Sequence, residues 1–111
     1  MNRYQKHQAL LNKFKVDFQK EFPSARIFNR HVGLFTTPWG KKIKINKLGM
    51  ADCYAIINGI HVEFEFKTGK AKQTKEQINW QNQIEKMGSY YFLVRESYGH
   101  IFDEIKQALQ L

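Results

Sequence analysis

Two carboxylates lie at a spacing that suits metal-dependent hydrolysis of an ester bond. Asp52 and Glu65 stand on either side of the dipeptide Asn58-Gly59. Asn-Gly between two apolar runs predicts a two-residue hairpin turn. Counting outwards from that turn places Asp52 directly opposite Glu65 on the neighbouring strand, with Cβ atoms about 5 Å apart. Opposed carboxylates repel each other, so a divalent cation between them is the natural way to stabilise the pair.

Lys67 adds a positive group on the same face as Glu65, because strand side chains two residues apart point the same way. Mg²⁺ takes oxygen ligands, usually one or two carboxylates together with water and substrate phosphate. A lysine beside such a centre can hold the attacking water or stabilise charge that develops on the phosphate. The alternative is a surface face of mixed charge, on which Lys67 only neutralises Glu65.

The apolar patterning predicts elements that would position these residues in one mixed sheet with helices packed on it. A spacing of three to four residues predicts a first helix from Tyr4 to Phe22, which Pro23 ends. The next predicted elements are a β-rich segment at 26–35, a turn at 38–40, an edge strand or basic loop at 41–47, and paired strands at 50–57 and 60–67. A second helix is capped by Thr74, ends at Gly88 and has an apolar face of Ile78, Ile84 and Met87. A buried strand at 90–94 and a helix at 101–109 complete the chain. The order α, a meander of about three strands, α, β, α belongs to the α/β (α+β) class.

The composition describes a small, basic, folded domain. The 111 residues carry 18 Lys and Arg against 10 Asp and Glu, which is a net charge of +8, and 42% are hydrophobic. This excludes a disordered basic tail, a bilayer-spanning segment and, with the lone Cys53, an intrachain disulfide; Cys53 is expected to be buried. In the absence of a secretory or lipidation signal, we expect the cytoplasm of a bacterium or phage-infected cell, and a polyanion rather than a membrane as partner.

Two groups of lysines flank the acidic pair in the sequence. They are Lys41, Lys42, Lys44 and Lys47 before Asp52, and Lys70, Lys72 and Lys75 after Lys67. Lysines in these places can neutralise DNA phosphates, which supplies affinity without sequence information. The alternative is that they confer solubility or protect a sheet edge. Trp39 and Trp80 are candidates either for stacking on bases or for packing in a core or interface.

Several segments together resemble the VRR-NUC subgroup of the PD-(D/E)xK nuclease superfamily, small nucleases common in phages. They are Gly49-Met50-Ala51-Asp52, Glu65-Phe66-Lys67-Thr68-Gly69, Thr74-Lys75-Glu76-Gln77 and Gly88-Ser89-Tyr90-Tyr91-Phe92-Leu93-Val94-Arg95. The resemblance covers residues 29–109 and, more loosely, the first helix. It implies a single nuclease domain over residues 1–111 with a restriction-endonuclease-like αβββαβα core.

The resemblance also implies roles for individual residues. Asp52 and Glu65 would ligate Mg²⁺ or Mn²⁺, with the backbone carbonyl of Phe66 as a third protein ligand. Lys67 would orient or activate the attacking water. Gln77 would contact the substrate phosphate or help to hold the site, and its alternative role is that of the capping residue of its helix.

The chain departs from the family pattern at three places. Ala51 stands where a proline is usual. Family members often carry a glutamate on the first helix as an extra metal-site residue, and this chain offers His7, Gln8, Asp17 or Glu21 there. Arg30 only approximates the Arg-Asn pair of the family, and we take it as a DNA contact.

The resemblance implies a metal-dependent endodeoxyribonuclease, a hydrolase acting on DNA phosphodiester bonds. It also points to branched or junction DNA as the substrate and to a homodimer, and it leaves open whether a helicase or another protein takes part. The alternative is a catalytically inactive nucleic-acid-binding module of the same fold. A third interpretation, a small structural or inhibitory phage protein, does not account for the opposed carboxylates.

Overall fold

The computed structural model describes residues 1–31 and 33–111, and these residues form three helices and six strands. In chain order the elements are α1 (Arg3–Glu21), β1 (Arg26–Asn29), β2 (Gly33–Thr36), β3 (Lys42–Ile45), β4 (Cys53–Ile57), β5 (Ile60–Phe66), α2 (Lys75–Lys86), β6 (Tyr90–Val94) and α3 (Gly99–Leu109). Val32, within the segment predicted to be β-rich, lies outside the described residues. None of the described helices is long and apolar enough to cross a membrane.

The main sheet has four strands in the order β1-β4-β5-β6. The pairs β1–β4 and β4–β5 are antiparallel, whereas β5 and β6 run parallel, with α2 as the connection between them. Strands β2 and β3 form a separate antiparallel hairpin inserted between β1 and β4. Without this hairpin the element order is αβββαβα, so the predicted mixed α/β class is confirmed.

The predicted hairpin register is confirmed. Ile57 pairs with Ile60 and Cys53 pairs with Phe64, as counting from the turn requires. Asn58 and Gly59 both have positive φ, at 50° and 79°, which is the conformation that an Asn-Gly turn of type I′ needs.

The predicted start of the first motif strand is wrong by three residues. The strand was expected from Met50, but β4 begins at Cys53. The chain before it turns, because the Met50 amide donates to the Lys47 carbonyl at 3.2 Å and Gly49 has a φ of +93°. Asp52 therefore lies at the point where the turn enters the strand.

One face of the sheet is apolar, as predicted, and it packs against α1 and α3. Its buried residues are Cys53, Ala55, Ile57, Val62, Phe64 and Phe66. Phe14 of α1 lies at the centre of this core, with its ring centroid 5.0 Å from that of Phe64 and 5.4 Å from that of Phe66. Burial of these aromatic rings fixes α1 against the strand that carries the predicted site.

The opposite face of the sheet is covered by α2. Its start was predicted correctly, because Thr74 and Gln77 form a capping box. The prediction of its apolar face is only partly confirmed, since Ile84 is buried but Ile78 and Met87 are exposed. The reason is that α2 packs on a strand face that carries Glu63 and Glu65, so polar residues of the helix turn inward as well.

Candidate metal centre

Asp52 is held by three backbone and side-chain contacts at the start of β4. Its carbonyl accepts a hydrogen bond from the Arg30 amide at 2.8 Å. Its Oδ2 atom accepts from the Phe66 amide at 2.9 Å and lies 3.2 Å from Nε2 of His7. The side chain is therefore held between the backbone of β5 and the His7 side chain of α1.

Glu65 lies in the middle of the sheet and is only 2% exposed. Its Oε2 atom accepts a hydrogen bond from Nε2 of Gln77 at 3.3 Å. Its Oε1 atom is buried and has no hydrogen-bond partner. A buried carboxyl oxygen without a partner is unusual in a folded protein, and a cation would satisfy it.

Gln77 caps its helix and also contacts Glu65, whereas a contact with substrate phosphate stays a prediction. Its side-chain oxygen accepts from the Thr74 amide at 2.8 Å, which completes the capping box. Its side-chain nitrogen donates to Glu65 at the same time. The helix cap and the carboxylate are therefore coupled through one amide side chain.

His7, Asp52 and Glu65 form a group that can hold a metal ion. One ligand atom of each lies within 4.8 Å of the others. Among the four first-helix candidates, His7 is the one that reaches the acidic pair. Asp17 instead accepts from the Tyr98 hydroxyl, and Glu21 pairs with Lys106. No contact of Gln8 with the pair is found in the described part of the chain.

The two carboxyl groups have unequal affinities for protons. Burial, and next the charge of Asp52, raise the pKa of Glu65 to about 9. Burial also opposes ionisation of Asp52, but hydrogen bonds from His7 and Glu65 outweigh it and lower the pKa of that carboxyl. The hydrogen bond to Asp52 raises the pKa of the His7 imidazole, and the Phe66 carbonyl acts in the same direction. At neutral pH the acidic pair therefore holds one proton, which a cation would replace.

Lys67 follows β5 at the edge of this centre and is half-buried. Its amide donates to the Val94 carbonyl at 3.0 Å, which fixes its backbone to β6. Its positive charge lowers the pKa of Glu65. Among the ion pairs of the described residues none involves Lys67, so Lys67 acts on Glu65 through its charge and not through an ion pair.

A cleft of about 380 Å³ opens beside the acidic pair. It is lined by Arg30, Leu48, Gly49, Met50, Asp52, Thr74, Glu76 and Gln77. Its walls are the turn that precedes β4 and the first turn of α2. A substrate in this cleft would lie against Asp52 and Gln77.

Gly49 allows the two walls of the cleft to approach each other. A Cβ atom at this position would lie 2.3 Å from the carbonyl oxygen of Glu76. Gly88 has a similar φ, +91° against +93°, but no atom lies within 4 Å of its Cβ position. We expect Gly49→Ala to lower the free energy of unfolding by about 3 kcal/mol, and Gly88→Ala by about 1 kcal/mol from backbone strain alone. Urea unfolding measures both, and equal losses would contradict the close contact.

A second buried carboxylate, Glu63, lies on the same face of β5 as Glu65. Both oxygens of Glu63 accept from the Arg30 guanidinium, at 2.7 and 2.8 Å. Trp80 donates to the same carboxylate at 2.8 Å, and Nε2 of His61 lies 3.1 Å from it. Glu63 is fully buried, and strand alternation with Glu65 is a sequence signal that could have indicated its need for a partner.

Arg30 also contacts the backbone next to the candidate centre. Besides its bidentate pair with Glu63, the guanidinium donates to the Ala51 carbonyl at 3.1 Å, one residue before Asp52. The guanidinium also lies over the Tyr54 ring at 4.9 Å. These contacts account for Arg30 without a DNA contact, which stays a prediction.

The seven lysines predicted to contact nucleic acid are all exposed. Lys75 is the first residue of α2 and adjoins the cleft wall, and Lys70 and Lys72 lie on the loop before that helix. Nζ of Lys47 lies 3.5 Å from Oε1 of Gln83 on α2. Lys41, Lys42 and Lys44 lie on or next to β3 of the separate hairpin.

The two tryptophans differ in their surroundings. Trp39, in the turn between β2 and β3, is 78% exposed, so it is not a core residue. Trp80 packs against a small cluster of Ala51, Ile84 and Tyr91 and donates to Glu63. Of the two, Trp39 is the one whose ring a partner can reach.

No family model matches the chain, and no curated protein matches it. The resemblance to the VRR-NUC subgroup therefore rests on the motif residues themselves.

Proposed function

We propose that this protein is a metal-dependent endonuclease that hydrolyses DNA phosphodiester bonds. The observation that carries the proposal is the convergence of His7, Asp52 and buried Glu65, one of whose oxygens has no partner, beside an open cleft. The αβββαβα order of elements and the position of Lys67 support the resemblance to VRR-NUC nucleases. The same resemblance is our reason for proposing Mg²⁺ or Mn²⁺ as the cofactor.

Each residue of the centre has its own proposed role in hydrolysis. Asp52 and Glu65 would hold the cation, and the family resemblance is our reason for proposing the backbone carbonyl of Phe66 as a third protein ligand. When bound, the cation lowers the pKa of a water molecule and stabilises charge on the phosphate. Lys67, free of an ion pair among the described residues, orients the water. Gln77 holds Glu65 in place and lines the cleft that receives the phosphate.

The distribution of charge supports a nucleic acid as the substrate. No Asp or Glu occurs between Glu21 and Asp52, a stretch that carries Lys41, Lys42, Lys44 and Lys47. Exposed lysines attract the phosphate backbone and raise its local concentration near an acidic centre. Trp39 adds an exposed aromatic ring to the same hairpin, on which a base can stack. A preference for branched or junction DNA, and a homodimer that cuts two strands, belong to the proposal through the family resemblance.

A cleavage assay with a panel of DNA structures tests the proposal. Linear duplex, single-stranded, flapped and four-way-junction DNA are incubated with Mg²⁺, with Mn²⁺ or with EDTA. We expect cleavage with a cation and none with EDTA. Binding without cleavage in any metal would favour the inactive binding module, and neither binding nor cleavage would favour the structural or inhibitory protein. Cleavage that survives Asp52→Ala would show that the centre lies elsewhere.

A further inference from the structure

We propose that His7 is a direct nitrogen ligand of the cation and makes this centre select first-row transition dications over Mg²⁺. The inference rests on the proposed function, because it names the class of metal that the same centre binds. Nothing in the family resemblance requires a histidine here. The proposal comes from where the structure places the imidazole.

The geometry places the imidazole within reach of an ion held by the acidic pair. An octahedral ion with ligands about 2.1 Å away has neighbouring ligand atoms roughly 3.0 Å apart. The 3.2 Å between Nε2 of His7 and Oδ2 of Asp52 is close to that spacing. All three ligand atoms lie within 4.8 Å of one another, so small side-chain rotations bring them onto one ion.

A second observation points to a ligand independently of the histidine. Glu65 is 2% exposed, and its Oε1 atom has no partner. The three residues are contributed by α1, by the turn before β4 and by β5, and one ligand atom of each lies within 4.8 Å of the others. An ion bound there would satisfy the buried oxygen and the two neighbouring side chains together.

His7 is held by a rigid part of the fold. The capping box of Asn2 and Gln5 fixes the first turn of α1, directly before His7. Leu10, Leu11 and Phe14 are buried against the sheet one to two turns later. The imidazole also meets the Phe66 ring edge-on, with centroids 6.3 Å apart and an interplanar angle of 87°. A ligand on a packed helix is positioned before the ion arrives.

The nitrogen ligand determines which ions the centre prefers. Mg²⁺ is satisfied by oxygen ligands, whereas imidazole favours transition ions, whose affinity for nitrogen rises from Mn²⁺ along the series. Replacing one carboxylate of an all-oxygen centre by imidazole also removes a negative charge that would help to hold Mg²⁺. Selection against Mg²⁺ is therefore the expected consequence.

The nitrogen can be detected directly by electron spin echo envelope modulation of protein-bound Mn²⁺. The wild type, His7→Gln, His7→Glu and His61→Gln are loaded with Mn²⁺ and measured without DNA. His61 is the matched control, because its Nε2 lies 3.1 Å from a carboxylate oxygen of Glu63 in an equivalent pair outside the centre. Circular dichroism and urea unfolding establish that each variant is folded.

We expect ¹⁴N modulation from imidazole in the wild type and in His61→Gln, and its loss in both His7 variants. By titration calorimetry, His7→Gln should weaken Mn²⁺ binding about 10-fold or more and Mg²⁺ binding much less. His7→Glu, which restores an oxygen ligand, should reverse the preference towards Mg²⁺. Wild-type protein that binds Mn²⁺ without ¹⁴N modulation, modulation that persists in His7→Gln, or failure to bind Mn²⁺ at all would overturn the inference.

These outcomes are separable from the test of the nuclease. Nitrogen coupling in a protein that cuts no DNA would support the metal ligand and remove the proposed activity. Cleavage with Mg²⁺ together with an absence of nitrogen coupling would keep the activity and overturn the role of His7. In that case the 3.2 Å contact would be only an ion pair of His7 with Asp52.

Discussion

Glu65→Gln is expected to raise the free energy of unfolding of the metal-free protein by about 2 kcal/mol at pH 7, whereas Glu63→Gln is expected to lower it by about 3 kcal/mol. The two glutamates are neighbours on the same face of β5, and both are buried. They differ in the charge of the neighbouring side chain. The Arg30 guanidinium lies against both oxygens of Glu63, whereas the Asp52 carboxylate lies beside Glu65.

The predicted gain in stability of Glu65→Gln follows from the proton that Glu65 binds in the folded state. Its pKa is about 9 in the folded protein against 4.5 for an unperturbed glutamate, so the folded state binds the proton more tightly. The stability that this proton contributes is fully present below pH 4.5 and is lost as the pH rises towards 9, at about 1.4 kcal/mol per pH unit. Glutamine has no proton to lose, so the advantage of Glu65→Gln grows with pH. It must rebuild the contacts to Asp52 and Gln77, which makes the gain smaller than the full effect of the proton.

The sign for Glu63 is opposite because its charge is compensated. The Arg30 guanidinium donates to both carboxylate oxygens at 2.7 and 2.8 Å. A glutamine here removes the negative charge and leaves a buried guanidinium without its partner, which costs several kcal/mol. Urea unfolding in EDTA across pH 6–9 measures both variants. Equal destabilisation by both would show that Glu65 is an ordinary structural carboxylate.

Adding a divalent cation provides an internal control for the same pair of variants. A ligand that binds only the folded state raises the free energy of unfolding by mass action. The wild type should therefore gain stability from Mn²⁺, whereas Glu65→Gln should gain little because it lacks the ligand oxygen. If Mn²⁺ stabilises Glu65→Gln as strongly as the wild type, Glu65 does not hold the ion.

Lys67→Met is expected to lower the rate of DNA cleavage by about 10³-fold while leaving DNA binding within about threefold of wild type. Methionine retains the length of the side chain and removes the charge that would act on the attacking water. The fold should be maintained, because the hydrogen bond of this residue to β6 comes from its backbone amide. Single-turnover cleavage at saturating protein, together with fluorescence anisotropy in EDTA, separates the chemical step from binding.

Lys75→Met is the matched control for this experiment. Lys75 is an exposed lysine at the start of α2, beside the cleft but outside the centre. Loss of its charge should weaken DNA binding by a few-fold and reduce the salt dependence of binding, with the single-turnover rate unchanged. If the two variants lose cleavage to the same extent, Lys67 acts only as one more phosphate contact.

Much of the framework around the centre could be predicted because its signals are local. The Asn58-Gly59 turn fixes the pairing of β4 with β5 through the φ angles of two adjacent residues. The Thr74 capping box is closed by a residue only three positions away, and Pro23 ends α1 from outside. Signals of this kind depend on a few residues that are close together in the chain, so they can be predicted from the sequence.

The contacts that complete the centre could not be predicted in this way. His7 and Asp52 are 45 residues apart in the chain, and Arg30 and Glu63 are 33 apart. The four first-helix candidates have no distinguishing sequence signal, and only the packing of Phe14 on the sheet decides that His7 faces Asp52. The late start of β4 likewise depends on how closely Gly49 approaches α2.

The sequence alone predicted the register of the hairpin that carries Glu65, because strand alternation and a tight turn are properties of the backbone, whereas Asp52 lies in the turn just before β4. Apolar patterning also predicted the three helices and the strands of the main sheet, whereas the separate hairpin of β2 and β3 was not predicted. Only the tertiary structure decided that Glu65 is buried with an unpartnered oxygen, that Glu63 is neutralised by Arg30, and that an imidazole lies beside the acidic pair. Burial and ion pairing depend on residues brought together by packing, and no spacing along the chain encodes which of them will meet.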